Sequence, residues 1–226
     1  MTATGKSTPL PLRYRPVRRL AQLYAGLILY GVSVTLMVQA RLGLDPWDVF
    51  HQGLSRRTGI RLGWVVIAVS GLVLLLWIPL RQRPGVGTLS NAVAIGLVMN
   101  VALALIPLAH GWPSRWAYLV AGIVANGAAT GLYIGARLGP GPRDGLMTGL
   151  AARGWSIRVV RTAIEVTVLV TGWLLGGTVG WATVLYAVSI GPLAHVFIPL
   201  FSVRQPTPVP DPVSPAHPTR TSTATT

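Results

Sequence analysis

Two aspartates, Asp48 and Asp144, occupy matching places in a stretch of sequence that occurs twice. The first copy reads Ala-Arg-Leu-Gly-Leu-Asp-Pro-Trp-Asp over residues 40–48, and the second reads Ala-Arg-Leu-Gly-Pro-Gly-Pro-Arg-Asp over residues 136–144. The chain has only five acidic residues, and because a carboxylate in apolar surroundings is costly, one that occurs there usually has a function. The pattern therefore predicts that both aspartates contact a solute or an ion. The alternative is that each carboxylate only caps a helix.

Three further ionisable residues join these aspartates as candidates. Arg41 and Arg137 are part of the repeated stretch and can neutralise the carboxylates or contact the solute with them. Glu165 follows Arg161 by four residues, a spacing that places both on one helix face and predicts an ion pair. The alternative for Glu165 is a proton or cation relay. The predicted solute- or ion-binding residues are Asp48, Asp144, Arg41, Arg137 and Glu165.

The sequence gives little support for a catalytic, metal-binding or nucleotide-binding site. The chain has no cysteine, and its four histidines are not spaced as ligand pairs. No nucleophile elbow, phosphate loop, zinc-binding helix or nucleotide fingerprint occurs. We therefore predict no catalytic residue, no metal, no cofactor and no enzymatic activity. An intramembrane enzyme that pairs two aspartates is a distant alternative.

The composition indicates that these groups lie in a membrane protein. Hydrophobic residues make up 51% of the 226 residues and charged residues 11%, against about 25% in ordinary soluble domains. The formal net charge is +14, which in a soluble protein would suggest nucleic acid. Here the arginines cluster at the ends of apolar segments, where they face lipid head groups. We predict the lipid bilayer as a partner and no nucleic-acid binding.

Six apolar segments are close to the 20 residues that a helix needs to cross the hydrocarbon core. The predicted spans are Leu20–Gln39, Leu62–Leu80, Leu89–Leu108, Trp116–Ala136, Val159–Leu175 and Gly180–Phe201. The fifth is the weakest because it contains Arg161 and Glu165. Its alternative is a buried helix that lies against the others.

The chain contains an internal repeat. With a shift of 96 positions, residues 23–57 align with residues 119–153 without a gap, and 14 of the 35 positions are identical. Each half then holds three spans, and an odd number makes the halves cross the membrane in opposite directions. We predict an all-α membrane fold of two inverted three-helix repeats, at 20–108 and 116–203.

A short helix is predicted after the first span of each repeat. Gly43 and Gly139 suit the left-handed residue that ends a helix, and Pro46 and Pro142 suit the first position of the next one. Asp45 can cap the first of these helices. The segments Pro46–Thr58 and Pro142–Arg153 would be about 18 Å long, which is too short to span. They can lie at the interface or enter the membrane as re-entrant elements.

The two ends of the chain differ from its centre. Residues 1–19 form a basic tail, and residues 204–226 are rich in Pro and Thr and are predicted to be disordered. With the N-terminus in the cytoplasm, thirteen Arg and Lys residues lie on the cytoplasmic side and five outside. The first loop, with four arginines, departs from this pattern. We predict a multi-pass protein of the bacterial plasma membrane with a cytoplasmic N-terminus.

The stretches Gly43–Leu54 and Gly139–Met147 resemble the YczE branch of the YitT-like bacterial membrane proteins. The resemblance extends over about residues 20–203. It implies a polytopic bacterial inner-membrane protein, and it carries no catalytic residue over to this chain.

The sequence predicts transport or facilitated passage of a small solute. The alternative is a non-transporting accessory protein that binds a partner membrane complex. A partner membrane protein and a second copy of the chain both stay open as binding partners.

Overall fold

The computed structural model describes residues 15–203, and within this range the chain is helical without β-strands. The predicted disordered tail at 204–226 and most of the basic N-terminal tail lie outside the described residues. The eight described helices are α1 (Pro16–Ala40), α2 (Pro46–Thr58), α3 (Leu62–Leu80), α4 (Val86–Leu105), α5 (Gly111–Gly135), α6 (Pro142–Ala151), α7 (Ile157–Leu174) and α8 (Trp181–Phe201).

Five of these helices are long and apolar enough to cross a membrane, namely α1, α3, α4, α5 and α8. This confirms an all-α protein with several apolar helices. The predicted fifth span corresponds to α7, an 18-residue helix that carries Arg158, Arg161 and Glu165 and is not among the five. The count of six spans stays a prediction.

The short helices begin as the sequence predicts. Pro46 occupies the first turn of α2, and the Asp45 side chain caps it by accepting hydrogen bonds from the backbone N–H groups of Trp47 and Asp48. In α6 the same place is held by Pro142, but Gly141 at the N-cap offers no side-chain acceptor. The proline fixes φ and lacks the N–H that a first turn leaves unpaired, so both helices start there.

The turn before each short helix uses two positive φ angles. The left-handed residue that ends the first helix is Arg41 (φ 54°) in one half and Arg137 (φ 53°) in the other. Gly43 (φ 111°) and Gly139 (φ 131°) follow two residues later, in a region that side chains rarely adopt. The turn therefore requires both glycines, but the prediction that they end the helices is wrong, because Arg41 and Arg137 hold the left-handed position there.

The helices after residue 110 repeat the order and approximate lengths of those before it. The starts of α1 to α4 match those of α5 to α8 at offsets of 95 or 96 residues. The first helices of the two halves, α1 and α5, pack together and run antiparallel. A Cβ added at Gly26 would lie 3.1 Å from the Ala129 carbonyl oxygen, and one added at Gly122 would lie 3.0 Å from that of Ser33. These four residues are two repeat-equivalent pairs, so the contact is reciprocal.

Each short helix packs on the third helix of the other half, α2 on α7 and α6 on α3. The loops before the short helices likewise contact the other half. The Leu42 carbonyl accepts from the Ala182 N–H, and the Leu138 carbonyl accepts from the Gly87 N–H, both at 2.9 Å. The ends of α2 and α6 are thereby fixed between the two halves, beside the buried α1–α5 pair.

The outer surface is apolar. Large side chains such as Leu72, Ile78 and Val196 are more than half exposed, and they belong to the apolar helices α3 and α8. An exposed apolar surface of this extent suits lipid rather than water.

Candidate functional site

Two aspartates are buried at the N-terminus of α2. Asp45 and Asp48 are 2% and 1% exposed. Unlike a helix cap, the Asp48 side chain accepts no hydrogen bond from a backbone N–H group among the described contacts. Its Oδ1 lies 3.0 Å from Nδ1 of His51, which is also buried. A carboxylate oxygen only accepts, so Nδ1 of His51 carries the proton.

An arginine from the other half reaches these carboxylates. The Arg143 guanidinium, in the first turn of α6, lies 3.5 Å from Asp48 Oδ1 and 3.8 Å from Asp45 Oδ1. It also lies over the Trp47 ring, with its central carbon 5.1 Å from the ring centroid. Arg143 and Trp47 are equivalent positions of the repeat, at an offset of 96 residues. The two short helices therefore meet through their N-terminal turns.

Asp144 follows Arg143 and contacts α5. Its Oδ2 accepts a hydrogen bond of 2.8 Å from the Tyr133 hydroxyl. Gly141 leaves room for this carboxylate, because a Cβ there would lie 3.1 Å from Asp144 Oδ2. Asp144 is thus held by a neutral donor, whereas Asp48 also lies beside the charged Arg143.

Helices α5, α7 and α8 add further polar groups. Arg161 Nε lies 2.8 Å from Glu165 Oε1, which confirms the ion pair predicted from their spacing. The Tyr186 hydroxyl donates to Asn126 Oδ1 at 2.9 Å, and Asn126 donates to the Ser33 hydroxyl at 2.9 Å. This chain of hydrogen bonds links α8, α5 and α1, so Asn126 bridges helices as a buried amide in an apolar bundle must.

Two cavities meet at this polar cluster. The larger has a volume of about 430 Å³ and extends to α7 and α8, while the smaller has about 60 Å³ and extends to α3 and α4. Both are lined by the same four side chains, Tyr30, Tyr133, Arg143 and Asp144. Asp45, Trp47, Arg161, Glu165 and Tyr186 line the larger cavity only. The four shared side chains therefore separate one cavity from the other.

The larger cavity exists because α7 and α8 do not pack along each other. In the first half, α3 packs along α4, and a Cβ added at Gly96 would collide with the Gly63 carbonyl oxygen. In the second half, Gly191 is the equivalent of Gly96, and a Cβ there would meet nothing within 4 Å. Gly63 is the second residue of α3, and the second residue of α7 is Arg158, which is too large for a close helix crossing.

The carboxylates are incompletely compensated. Oδ2 of Asp45 and Oδ2 of Asp48 are buried without a hydrogen-bond partner. Burial raises the pKa of Asp45 well above its usual value, and the neighbouring Asp48 raises it further. Burial, together with nearby Arg143, lowers the pKa of His51 to about 3, so the imidazole stays neutral and supplies no positive charge.

The structure brings together three of the five predicted site residues. Asp144 and Glu165 line the larger cavity, and Asp48 lies directly behind Asp45 in its wall. Arg41 and Arg137 lie elsewhere. The Arg41 side chain is exposed and lines a separate cavity near the end of α1, and neither arginine makes an ion pair in the described part of the chain.

Arg143 holds the place that we predicted for Arg41 or Arg137. Arg41 and Arg137 were predicted because they are identical in the two repeats, whereas Arg143 differs from its equivalent, Trp47. Asp45 was missed as a site residue for the same reason, since its equivalent is Gly141. A comparison of where the copies differ would have found both.

The described residues contain no group of three or more His, Cys, Asp or Glu side chains that could hold a metal ion. The site instead combines carboxylates, guanidinium groups and aromatic rings around a cavity of small-molecule size. Such a set can bind a polar solute by charge, hydrogen bonds and ring contacts.

An all-helical fold, long apolar helices and an apolar exterior define a membrane protein. Residues 17–199 match the family of unknown function DUF6198, and the chain belongs to that family. It is 40% identical over 177 residues to an uncharacterized protein of Haemophilus influenzae, covering 78% of this chain and 81% of the relative.

Two Bacillus subtilis proteins are also similar. The uncharacterized membrane protein YczE is 32% identical over 179 residues, which cover 78% of this chain and 83% of the relative. The uncharacterized protein YyaS is 28% identical over 182 residues, which cover 77% and 90%. No solved structure matches the chain.

Proposed function

We propose that the protein provides passage for a small solute across the membrane, with the solute bound in the larger cavity. The observation that carries this proposal is that two cavities reach the same four side chains from different directions. A site for binding alone needs one entrance, whereas passage needs an approach from each side. Tyr30, Tyr133, Arg143 and Asp144 would then form the barrier that has to rearrange.

The linings of the cavities correspond in the repeat. Ile95 lines the smaller cavity and its equivalent Ile190 lines the larger one, and the same holds for Asn91 and Tyr186. Pro142 and its equivalent Pro46 follow the same pattern. The cavities are thus equivalent places in the two halves, closed to about 60 Å³ in one and open to about 430 Å³ in the other.

The proposal includes inverted halves, 20–108 and 116–203, and six spans. Antiparallel packing of α1 and α5 supports inversion, because equivalent helices that run in opposite directions are related by an axis in the membrane plane. The sixth span would be α7, with Arg161 and Glu165 directed at the cavity, so that its charged groups avoid lipid. Inversion makes the two cavities face opposite sides of the membrane.

The proposed location is the bacterial plasma membrane, with the N-terminus in the cytoplasm. The excess of arginine on one side of the predicted spans supports this orientation. We propose no catalytic role for the site.

An accessory protein without a transport role is the alternative. That role needs a closed bundle with a docking surface, and it gives no reason for a cavity lined by five charged side chains. The cavity favours passage, and labelling of single cysteines separates the two functions.

Single cysteines can test the two approaches, because the chain contains none of its own. Ile95→Cys and Ile190→Cys form a matched pair at equivalent positions. Each variant is treated with a membrane-impermeant maleimide, in right-side-out and in inverted vesicles. We expect Ile190→Cys to react rapidly from one side and Ile95→Cys to react more slowly from the opposite side.

Val196→Cys is the control, because Val196 is 63% exposed on the apolar exterior and a thiol in lipid does not ionise to react. Reaction of both test cysteines from the same side would contradict a passage that crosses the membrane. Failure of both to react would favour the closed accessory protein.

A further inference from the structure

We propose that the solute of the larger cavity is a small organic cation, with an ammonium or guanidinium group held by Asp45 and its carbon body against aromatic rings. This rests on the proposed function and adds the chemical class of the solute.

Negative charge exceeds positive charge at the site. All four acidic residues of the described chain gather here, namely Asp45, Asp48, Asp144 and Glu165. The positive charge at the site comes from two guanidinium groups, those of Arg143 and Arg161. A cavity with this imbalance favours a positively charged solute.

The arginines are already engaged. Arg161 pairs with Glu165 at 2.8 Å, and Arg143 lies between Asp45 and Asp48. Each guanidinium charge is therefore already balanced by a carboxylate, and an anion would have to compete with that carboxylate. This argues against a carboxylate or phosphate as the solute.

One carboxylate oxygen of a residue in the cavity wall lacks a hydrogen-bond donor. Asp45 lines the larger cavity, is 2% exposed, and has no hydrogen-bond partner for Oδ2. A buried acceptor without a partner is unfavourable, and a charged N–H donor is the strongest partner for a carboxylate. An ammonium or guanidinium group fits this requirement, and its charge favours the ionised form of Asp45, which burial by itself disfavours.

Four rings line the same cavity, those of Tyr30, Trp47, Tyr133 and Tyr186. The face of an aromatic ring attracts a cation, and Arg143 over Trp47 already uses this attraction. Aromatic side chains also pack against the carbon atoms of a solute, and a bare metal ion has no carbon atoms. With no metal-holding group in the described residues and a volume of about 430 Å³, the cation is an organic one.

Three aromatic probes of similar size test the charge preference: benzylamine, benzyl alcohol and benzoate. Binding to the purified full-length protein in nanodiscs is measured by isothermal titration calorimetry. We expect benzylamine to bind at least tenfold more tightly than benzyl alcohol, and benzoate to bind least. Equal binding of the three, a preference for benzoate, or no saturable binding of benzylamine would overturn the proposal.

Two substitutions locate the interaction. Asp45→Asn retains a helix-capping side chain and should weaken benzylamine at least tenfold without changing benzyl alcohol, whereas Asp45→Glu should retain the preference. Tyr186→Leu should weaken benzylamine severalfold, while Tyr186→Phe, which retains the ring, should not. If Asp45→Asn does not fold, the Tyr186 pair and the three probes still decide the question.

The outcome is separable from that of the proposed function. Opposite-sided labelling of Ile95→Cys and Ile190→Cys together with a preference for benzoate would retain passage and discard the cation. Labelling from one side together with tight benzylamine binding would leave a cation site without passage.

Discussion

The two halves of this protein treat their third and fourth helices differently. Helix α3 lies along α4 where Gly63 and Gly96 allow the backbones to approach. Helix α7 stands away from α8, and its second residue is Arg158 where that of α3 is Gly63. One copy closes the pair with glycine, and the other leaves a gap lined by Arg161, Glu165 and Tyr186. The repeat thus provides the scaffold, and the residues that differ between the copies provide the cavity.

The largest effect should come from the contact that joins the halves. Arg143→Leu removes the counterion of Asp45 and Asp48 and leaves two buried carboxylates without compensation. We expect a loss of stability of about 3–5 kcal/mol. Thermal unfolding in detergent, followed by size-exclusion chromatography, measures it.

Arg137→Leu is the control for that variant, because Arg137 makes no ion pair in the described chain. We expect it to change stability by less than about 1 kcal/mol. Equal losses for the two variants would show that Arg143 does not hold the halves together.

Placing an arginine, as in α7, at the corresponding position of α3 should destabilise the protein almost as much. Gly63→Arg places a long cation where a Cβ alone would collide with the Gly96 carbonyl, and we expect a loss of about 3 kcal/mol. The reverse variant, Arg158→Gly, acts at an exposed position and should cost about 1 kcal/mol through helix propensity. The ratio of folded to aggregated protein after extraction measures both, and a harmless Gly63→Arg would argue against a tight α3–α4 contact.

A smaller matched pair tests the same contrast at equivalent glycines. Gly96→Ala should destabilise by about 1–3 kcal/mol because the methyl group meets the Gly63 carbonyl. Gly191→Ala has open space around it and should stabilise the helix by about 0.5–1 kcal/mol. Opposite signs in thermal unfolding are the expected result. If both alanines destabilise equally, α8 packs on α7 more closely than the structure has it.

The smallest effect should come from the pair within α7. Glu165→Gln and Arg161→Gln separate an ion pair whose side chains are 33% and 59% exposed, and such pairs contribute about 0.2–1 kcal/mol. A double-mutant cycle in thermal unfolding measures the coupling. A coupling above about 2 kcal/mol would indicate a dry cavity rather than one open to solvent.

Much of the secondary structure could be predicted from sequence. The predicted short helix Pro46–Thr58 and span Leu62–Leu80 have the bounds of α2 and α3, because a proline, a capping aspartate and an apolar run are local signals. The span predicted at Leu89–Leu108 lies three residues later than α4, Val86–Leu105. An apolar run that continues past the helix into Ile106 and Leu108 gives no local signal for its end.

The site was predicted only in part. Asp48, Asp144 and Glu165 were selected because acids are rare in an apolar chain, and the structure brings them to one place. Arg41 and Arg137 were selected for their identity in both copies, and they serve to end helices with a left-handed residue. The identity of these two arginines in both copies reflects the turn that the copies share. It does not mark them as residues of the site.

The sequence by itself determined the helices, their apolar character and the duplication, because these follow from composition and from patterns within a few residues of each other. Only the tertiary structure decided that Arg143 faces Asp48 and that α7 stands away from α8. Those outcomes depend on which side chains meet across about 95 residues of chain and on whether a glycine or an arginine stands at the crossing. Close approach is a property of two surfaces together, so neither surface alone could reveal it.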